Sequence, residues 1–296
     1  MSFLVRSCIL LVAFFAAGCG EAPASTGPLA VTDDAGQTVR LEAPARRILS
    51  LIPARTDALL ALGAGDRLIA RTTWDTASSL AHLPSLGDAL TPSVEWIAAR
   101  APDLVVAWPD AGSRTAVARL RALGLPVYAS RVETLADVRR ALTHLGTLTG
   151  LEERAAAELR AMDATLDSVR ASVAGRERPR VLYLVGLEPP VAAGPGTLVH
   201  ELIDVAGGTN VMADATAPWP SVSLEALFGR DPDMVVVAVG GTSAPALAEQ
   251  PGWRGLEAVR EGRVHVINPY QFNRPGPSAG RLARELAALF HSGDTQ

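Results

Sequence analysis

Lysine is absent from this 296-residue chain, so arginine supplies every permanently basic side chain. Lys+Arg number 27 against 31 Asp+Glu, a net charge of −4, and no basic run resembles a surface that tracks phosphates. That balance sets aside a general nucleic-acid binder. Cysteine occurs only at Cys8 and Cys19. The remainder therefore offers neither a disulfide nor a thiolate metal site, which is compatible with an oxidising compartment. The histidines His82, His144, His200, His265 and His291 show no H-x-x-x-H spacing and no His-rich loop, so no resident metal or cofactor is expected. Aromatic residues make up only 5% of the chain, and the place of each is correspondingly informative.

What is present begins with an N-terminal segment built like an export signal. Arg6 gives a small positive region, residues 8–15 a short apolar core, and Ala16-Ala17-Gly18 a small-residue stretch. The run is too short for a membrane span. Ala16-Ala17-Gly18-Cys19 resembles the lipobox of bacterial lipoproteins, although Leu is commoner where Ala16 stands. The resemblance implies that residues 1–18 are a signal peptide and that Cys19 becomes an acylated N-terminus. The exported chain would then be held at a membrane in the periplasm or at the cell surface by acyl chains alone. Residues 19–30 read as a tether.

Beyond the tether the pattern is α/β. Residues 31–41 suggest a hairpin around Asp34-Ala35-Gly36. Strands are expected at 47–52, 68–72, 104–108 and 127–129, and helices at 94–100, 116–123 and 135–145, with Thr56 capping a helix that Gly63 stops. Such alternation implies parallel sheet with helical cover. Leu151, Ala155, Leu159, Met162, Leu166, Val169 and Val173 then form one apolar stripe on a single long helix, about 30 Å in length. After Gly175 and Pro179 the α/β pattern starts afresh, with strands at 181–185, 234–239 and 264–267 and helices at 198–206 and 279–290. The expected fold is two Rossmann-like α/β lobes with parallel sheets, 31–146 and 177–292, joined by one rigid helix within 147–176.

The halves share a short repeat. Residues 92–106 and 221–236 place Glu95 and Glu225, Arg100 and Arg230, Pro102 and Pro232, and Asp103 and Asp233 at the same 130-residue offset. Each copy reads as a helix, a Pro-Asp turn and a buried strand. Two equivalent lobes on one helix leave a cleft between them, a favoured place for a ligand.

Two motifs mislead. Gly276-Pro277-Ser278-Ala279-Gly280 fits the G-x-S-x-G nucleophile elbow, but no strand runs directly into it, and an N-cap role for Ser278 is the better reading. Gly63-Ala64-Gly65 follows a helix and has Leu68 where a dinucleotide fingerprint needs its third glycine. No catalytic group is assigned, and the chain reads as a non-enzyme. The aromatics point elsewhere. Trp74 and Trp108 end or follow expected strands, Trp219 is framed by Pro218 and Pro220, and Tyr270 and Phe272 follow the last strand. Open α/β sheets bind ligands at strand carboxyl ends, and flat rings suit a large, partly apolar ligand.

Together, the stretches beginning Arg47-Ile48-Leu49-Ser50 and Ala101-Pro102-Asp103-Leu104, with Pro218-Trp219-Pro220-Ser221 and Asn273-Arg274-Pro275-Gly276-Pro277, resemble the periplasmic binding proteins for iron complexes and vitamin B12. The similarity runs from about residue 46 to 290 and is greatest to the vitamin B12 members. It implies a monomeric lipoprotein that delivers its ligand to an ABC permease and its ATPase. Trp74, Trp108 and Trp219 match positions lining a corrinoid cleft, and Pro53 and Ala54 a loop beneath it. Phe272 and Arg274 join them as ligand-binding candidates. Glu95 and Glu225 match a pair of glutamates, one per lobe, that meet arginines on the permease. The chain departs from the vitamin B12 members near Gly87-Asp88, where a cleft Trp is missing, and at Val191, where an aromatic is expected. A corrinoid is the implied ligand, whether vitamin B12 or a precursor. The alternative is a ferric siderophore or haem, for which Arg55, Arg71 and Arg274 are candidate contacts. A cell-surface scavenger without its own transporter is a further reading.

Overall fold

The computed structural model describes residues 28–292; the expected signal segment and Cys19 lie outside them. The described chain opens with an antiparallel hairpin, β1 (Leu29–Thr32) and β2 (Thr38–Leu41), whose alternate residues turn inward. The first sheet is β3 (Ile48–Ser50), β4 (Leu104–Ala107) and β5 (Val127–Ala129), parallel and in that spatial order. All three strands are buried throughout, as strands covered on both faces must be. Helices α1 (Pro53–Ala61), α2 (Val94–Ala98), α3 (Ala111–Ala122) and α4 (Leu135–Thr149) belong to the same lobe.

Helix α5 (Glu152–Val173) follows. The second lobe comprises β6 (Arg180–Leu187), β7 (Pro190–Ala192), α6 (Leu198–Val205), β8 (Thr209–Asn210), α7 (Leu224–Phe228), β9 (Met234–Val237), α8 (Ala244–Glu249), α9 (Glu257–Arg260), β10 (Val264–Val266), α10 (Pro269–Phe272) and α11 (Ala279–Phe290). Its sheet order is β10-β9-β6-β7. β8 pairs in parallel with the start of β6, whereas β7 pairs antiparallel with the end of it.

The stripe expected on α5 faces the core: Ala155, Met162, Leu166 and Val169 are buried, with Leu151, Leu159 and Val173 packed at the margin. One apolar cluster runs from the first lobe through α5 into the second, and each sheet's opposite face has a separate cluster. Small residues set how closely α5 is seated. A Cβ on Gly146 of α4 would lie 2.7 Å from the Ala155 Cβ, and one on Gly280 of α11 would lie 3.0 Å from the Met162 carbonyl oxygen.

The repeat is a structural equivalence. Ser93 and Ser223 cap α2 and α7 by accepting the backbone N–H of Trp96 and Ala226, both at 3.2 Å. Ala101 and Asp231 carry positive φ, 44° and 41°, at corresponding places. Each kink is braced by an arginine from the neighbouring strand entry: Arg47 donates to the carbonyls of Arg100 and Ala101, and Arg180 to those of Arg230 and Asp231. Asp103 and Asp233 accept the backbone N–H of Arg47 and Arg180.

Several expected elements differ. The apolar run 68–72 is no strand; it makes only single bridges, Ile48 with Leu68 and Arg71 with Ser85. Helix α1 starts at Pro53, whose fixed φ suits a first helical position, so Thr56 lies inside the helix and its hydroxyl donates back to the Ile52 carbonyl at 3.4 Å. Ser278 stands at the N-cap of α11, but its side chain makes no capping bond.

Candidate functional site

The carboxyl ends of the parallel strands in both lobes open onto one cleft. After β3 the chain turns into α1 through Pro53 and Ala54; after β4 comes Trp108, after β5 Val132 and Glu133, and after β10 residues 268–278. Three cavities meet there. The largest, of about 520 Å³, has charged walls of both signs, with Asp57, Glu158, Arg274 and Arg281. The second, about 300 Å³, is mainly apolar and is walled by Pro53, Ala54, Trp74, Trp108, Tyr270 and Arg274. The third, about 70 Å³, is walled by Val132, Glu133, Leu198, Trp219, Phe272 and Pro275. Asn273 and Pro275 border both apolar cavities, and every residue from 268 to 278 lines at least one of the three.

Each aromatic is held by its backbone. The Trp74 turn is fixed by Asp75, whose carboxylate accepts the Thr72 N–H at 2.7 Å and hydroxyl at 2.8 Å. Its indole stays exposed and leans on Tyr270 across the lobe boundary, centroids 6.2 Å apart. The Trp108 carbonyl accepts the Ser113 hydroxyl at 2.7 Å. The Trp219 loop is pinned alongside β7 by bonds from Ala192 N–H to the Pro220 carbonyl, 3.0 Å, and from Gly194 N–H to the Pro218 carbonyl, 2.8 Å. Gly194 permits that approach, because a Cβ there would meet the Ala217 carbonyl oxygen at 2.5 Å.

Arginines stitch the lobes together. Arg274 reaches from the second lobe to Asp57 on α1, 3.3 Å, and donates to the Trp74 carbonyl. Arg55 of α1 is fully buried and donates through Nη2 to the Pro275 carbonyl, while its Nη1 has no partner. Burial lowers the Arg55 pKa to about 10. Burial also raises the carboxyl pKa of Asp57, outweighing the opposing pull of Arg274. Opposite, the Glu201 carboxylate accepts the Leu135 N–H at 2.5 Å. Glu133 is half-buried; burial raises its pKa, opposed first by the neighbouring Trp219 indole and then by the charge of Arg131.

Of the expected ligand residues, Pro53, Ala54, Trp74, Trp108 and Arg274 line one cavity, and Trp219 and Phe272 the adjoining one. Phe272 is only 6% exposed, so most of its ring belongs to the core. Arg55 lies beneath the floor, and neither it nor Arg71 lines any of these three cavities. Glu95 and Glu225 sit at equivalent places in the first turns of α2 and α7, both exposed and away from the cleft cavities. Glu95 is paired with Arg119 at 2.6 Å. Tyr270 and Glu133 join the cleft without having been chosen from the sequence as ligand residues. Tyr270 had a signal, being an aromatic just past the last strand; Glu133, a carboxylate in a loop, had none.

A family model described as periplasmic binding protein matches residues 48–270. The chain belongs to the periplasmic binding protein family. It is 31% identical over 242 residues to the vitamin B12-binding protein of Vibrio cholerae serotype O1, covering 79% of this chain and 85% of that one. It is 27% identical over 302 residues to an ABC transporter substrate-binding lipoprotein of Bacillus subtilis, covering 96% and 95%. The apo periplasmic haem-binding protein of Roseiflexus superposes with a TM-score of 0.75 at 25% identity, covering 84% of this chain and 98% of that one. The family is one of substrate-binding transport proteins, and the α/β fold with parallel sheets is the one this chain shares with it. Among the described residues no helix is long and apolar enough to cross a membrane.

Proposed function

We propose that this periplasmic binding protein captures a corrinoid in its inter-lobe cleft and hands it to an ABC permease driven by its ATPase. What carries the reading is the set of flat aromatic side chains lining the cleft, with Trp74 and Trp108 about one apolar cavity and Trp219 about its neighbour. The vitamin B12-binding relative of Vibrio cholerae supports it. The haem-binding neighbour keeps ferric haem or a siderophore as the second reading. Against an anionic chelate stands the engagement of the cleft arginine: Arg274 is committed to Asp57 and the Trp74 carbonyl. The lobes run over residues 31–146 and 177–292, with 147–176 joining them. Acylation at Cys19 tethers the monomer, in keeping with the lipoprotein relative of Bacillus subtilis. Glu95 and Glu225 dock the loaded protein on the permease, one per lobe.

Calorimetry against cyanocobalamin, cobinamide, haemin and ferrichrome tests the ligand. The expected result is corrinoid binding that Trp219→Ala weakens by about 1–3 kcal/mol through loss of a buried aromatic contact. Haemin binding without any cobalamin binding at micromolar protein would reject the corrinoid.

A further inference from the structure

The cleft has two apolar chambers of unequal size that share Asn273 and Pro275. The smaller, about 70 Å³, holds roughly two water-sized groups at about 30 Å³ each. That is room for a carboxamide arm and far too little for a macrocycle. Its walls are Val132, Leu198, Val199, Phe272 and the prolyl ring of Pro275, and its polar side chains are those of Glu133, Trp219 and Asn273. One of these is already directed elsewhere. The Asn273 amide donates to the Ala238 carbonyl at 3.3 Å and accepts from the Tyr183 hydroxyl at 3.5 Å. The Trp219 indole lies beside Glu133 in the same chamber and favours its ionised form. Glu133 remains. Its backbone is fixed, since its N–H donates at 3.0 Å to Asp137, the carboxylate of the capping box that starts α4. Among the described residues no arginine forms an ion pair with it; the adjacent Arg131 is turned to Asp110. A half-buried carboxylate beside an indole in a mainly apolar chamber has lone pairs open to a ligand's donor.

We infer that this chamber is a side-arm subsite in which Glu133 accepts a hydrogen bond from a primary amide of the ligand, making the cleft select amide-bearing and reject carboxylate-bearing arms. The inference rests on the corrinoid reading and deepens it. The macrocycle lies in the larger chamber between Trp74 and Trp108, and one peripheral amide reaches past Asn273 and Pro275 to Glu133. A carboxylate at that place brings like charge against a half-buried like charge, which is unfavourable.

The test compares cyanocobalamin with its monocarboxylic acids, in each of which one peripheral amide is a carboxylate, on wild type and Glu133→Gln by calorimetry. Glu133→Gln keeps the side chain's shape, and a thermal melt checks its folding. The expected result is that at least one positional isomer binds wild type about tenfold or more weakly than cyanocobalamin, and that Glu133→Gln erases most of that ratio. Equal binding of all isomers by wild type, or a penalty that persists in Glu133→Gln, overturns the subsite while leaving the corrinoid reading standing. Absence of cyanocobalamin binding by wild type overturns the corrinoid reading instead. The chamber is then read with haemin against its dimethyl ester: a wild-type preference for the ester that Glu133→Gln removes supports charge selection by Glu133, and equal ratios in the two proteins reject it.

Discussion

Replacing Gly146 or Gly280 by alanine tests how the connecting helix is held. Alanine ordinarily gains about 1 kcal/mol over glycine within a helix, as at Gly146, and less at Gly280, the second residue of α11. At these two positions the added methyl has nowhere to go. On Gly146 it would stand 2.7 Å from the Ala155 Cβ, and on Gly280 it would stand 2.9 Å from the Thr165 Cβ and 3.0 Å from the Met162 carbonyl oxygen. Two of those obstacles are a Cβ fixed to α5 and one is its backbone, so relief requires α4 or α11 to move off α5. Overpacking of this kind costs about 1–3 kcal/mol, which offsets or exceeds the propensity gain. Each variant is therefore expected to range from neutral to about 2 kcal/mol less stable. The two contacts lie two to three turns apart on α5, about 10–15 Å, so the double variant should be additive within about 0.5 kcal/mol. Urea denaturation followed by far-ultraviolet circular dichroism measures this. A gain near 1 kcal/mol in either single variant would refute the close seating, because it would mean the methyl enters open space.

Three further outcomes follow from the same geometry. Scattering profiles of apo and loaded protein should nearly superpose, because α5 packs on both lobes and Arg55, Arg274 and Glu201 bridge them; a clear compaction on loading would contradict this. Glu95→Arg with Glu225→Arg should leave ligand affinity intact while abolishing uptake through the cognate permease, since charges of this kind act on encounter and orientation; normal uptake by the folded double variant would reduce both glutamates to favourable partners of their helix N-termini. Asp57, whose carboxyl pKa is raised in the fold by burial, contributes stability that is present in full below its ordinary value of 3.8 and is lost as pH rises through the folded-state value. Asp57→Asn should flatten that part of the stability–pH profile, and an unchanged profile would count against the burial of this carboxyl.

The long helix was legible because seven apolar residues keep one face over six turns, a signal that no short element provides. Strand–helix alternation and the repeat were legible for the same reason, each pairing a capped helix with a fully apolar strand. The braces at Ala101 and Asp231 were not, because alanine and aspartate share no left-handed preference and only Arg47 and Arg180, remote in sequence, hold the two kinks. The run 68–72 has strand composition but finds one neighbour at a time, whereas β7 and β8, only three and two residues long, leave no periodicity to read. Within the cleft, scarcity made Trp74, Trp108 and Trp219 visible. Arg55 was weighed as a contact for an anionic chelate, yet burial carries it out of reach of the cavities. Glu133 takes its meaning from Trp219, far along the chain, and no spacing rule connects them.

Residues 268–278 wall three chambers and also carry Arg274 and the carbonyl that Arg55 holds. One eleven-residue cassette, bounded by β10 on one side and α11 on the other, therefore touches every chamber of the cleft. Divergence within that cassette re-tailors all three chambers at once, with Phe272 and Asn273 as the positions that also answer to the core and the second sheet. A laboratory exchange of that segment between relatives, holding Phe272 and Asn273 fixed, would reshape the cleft on the same frame.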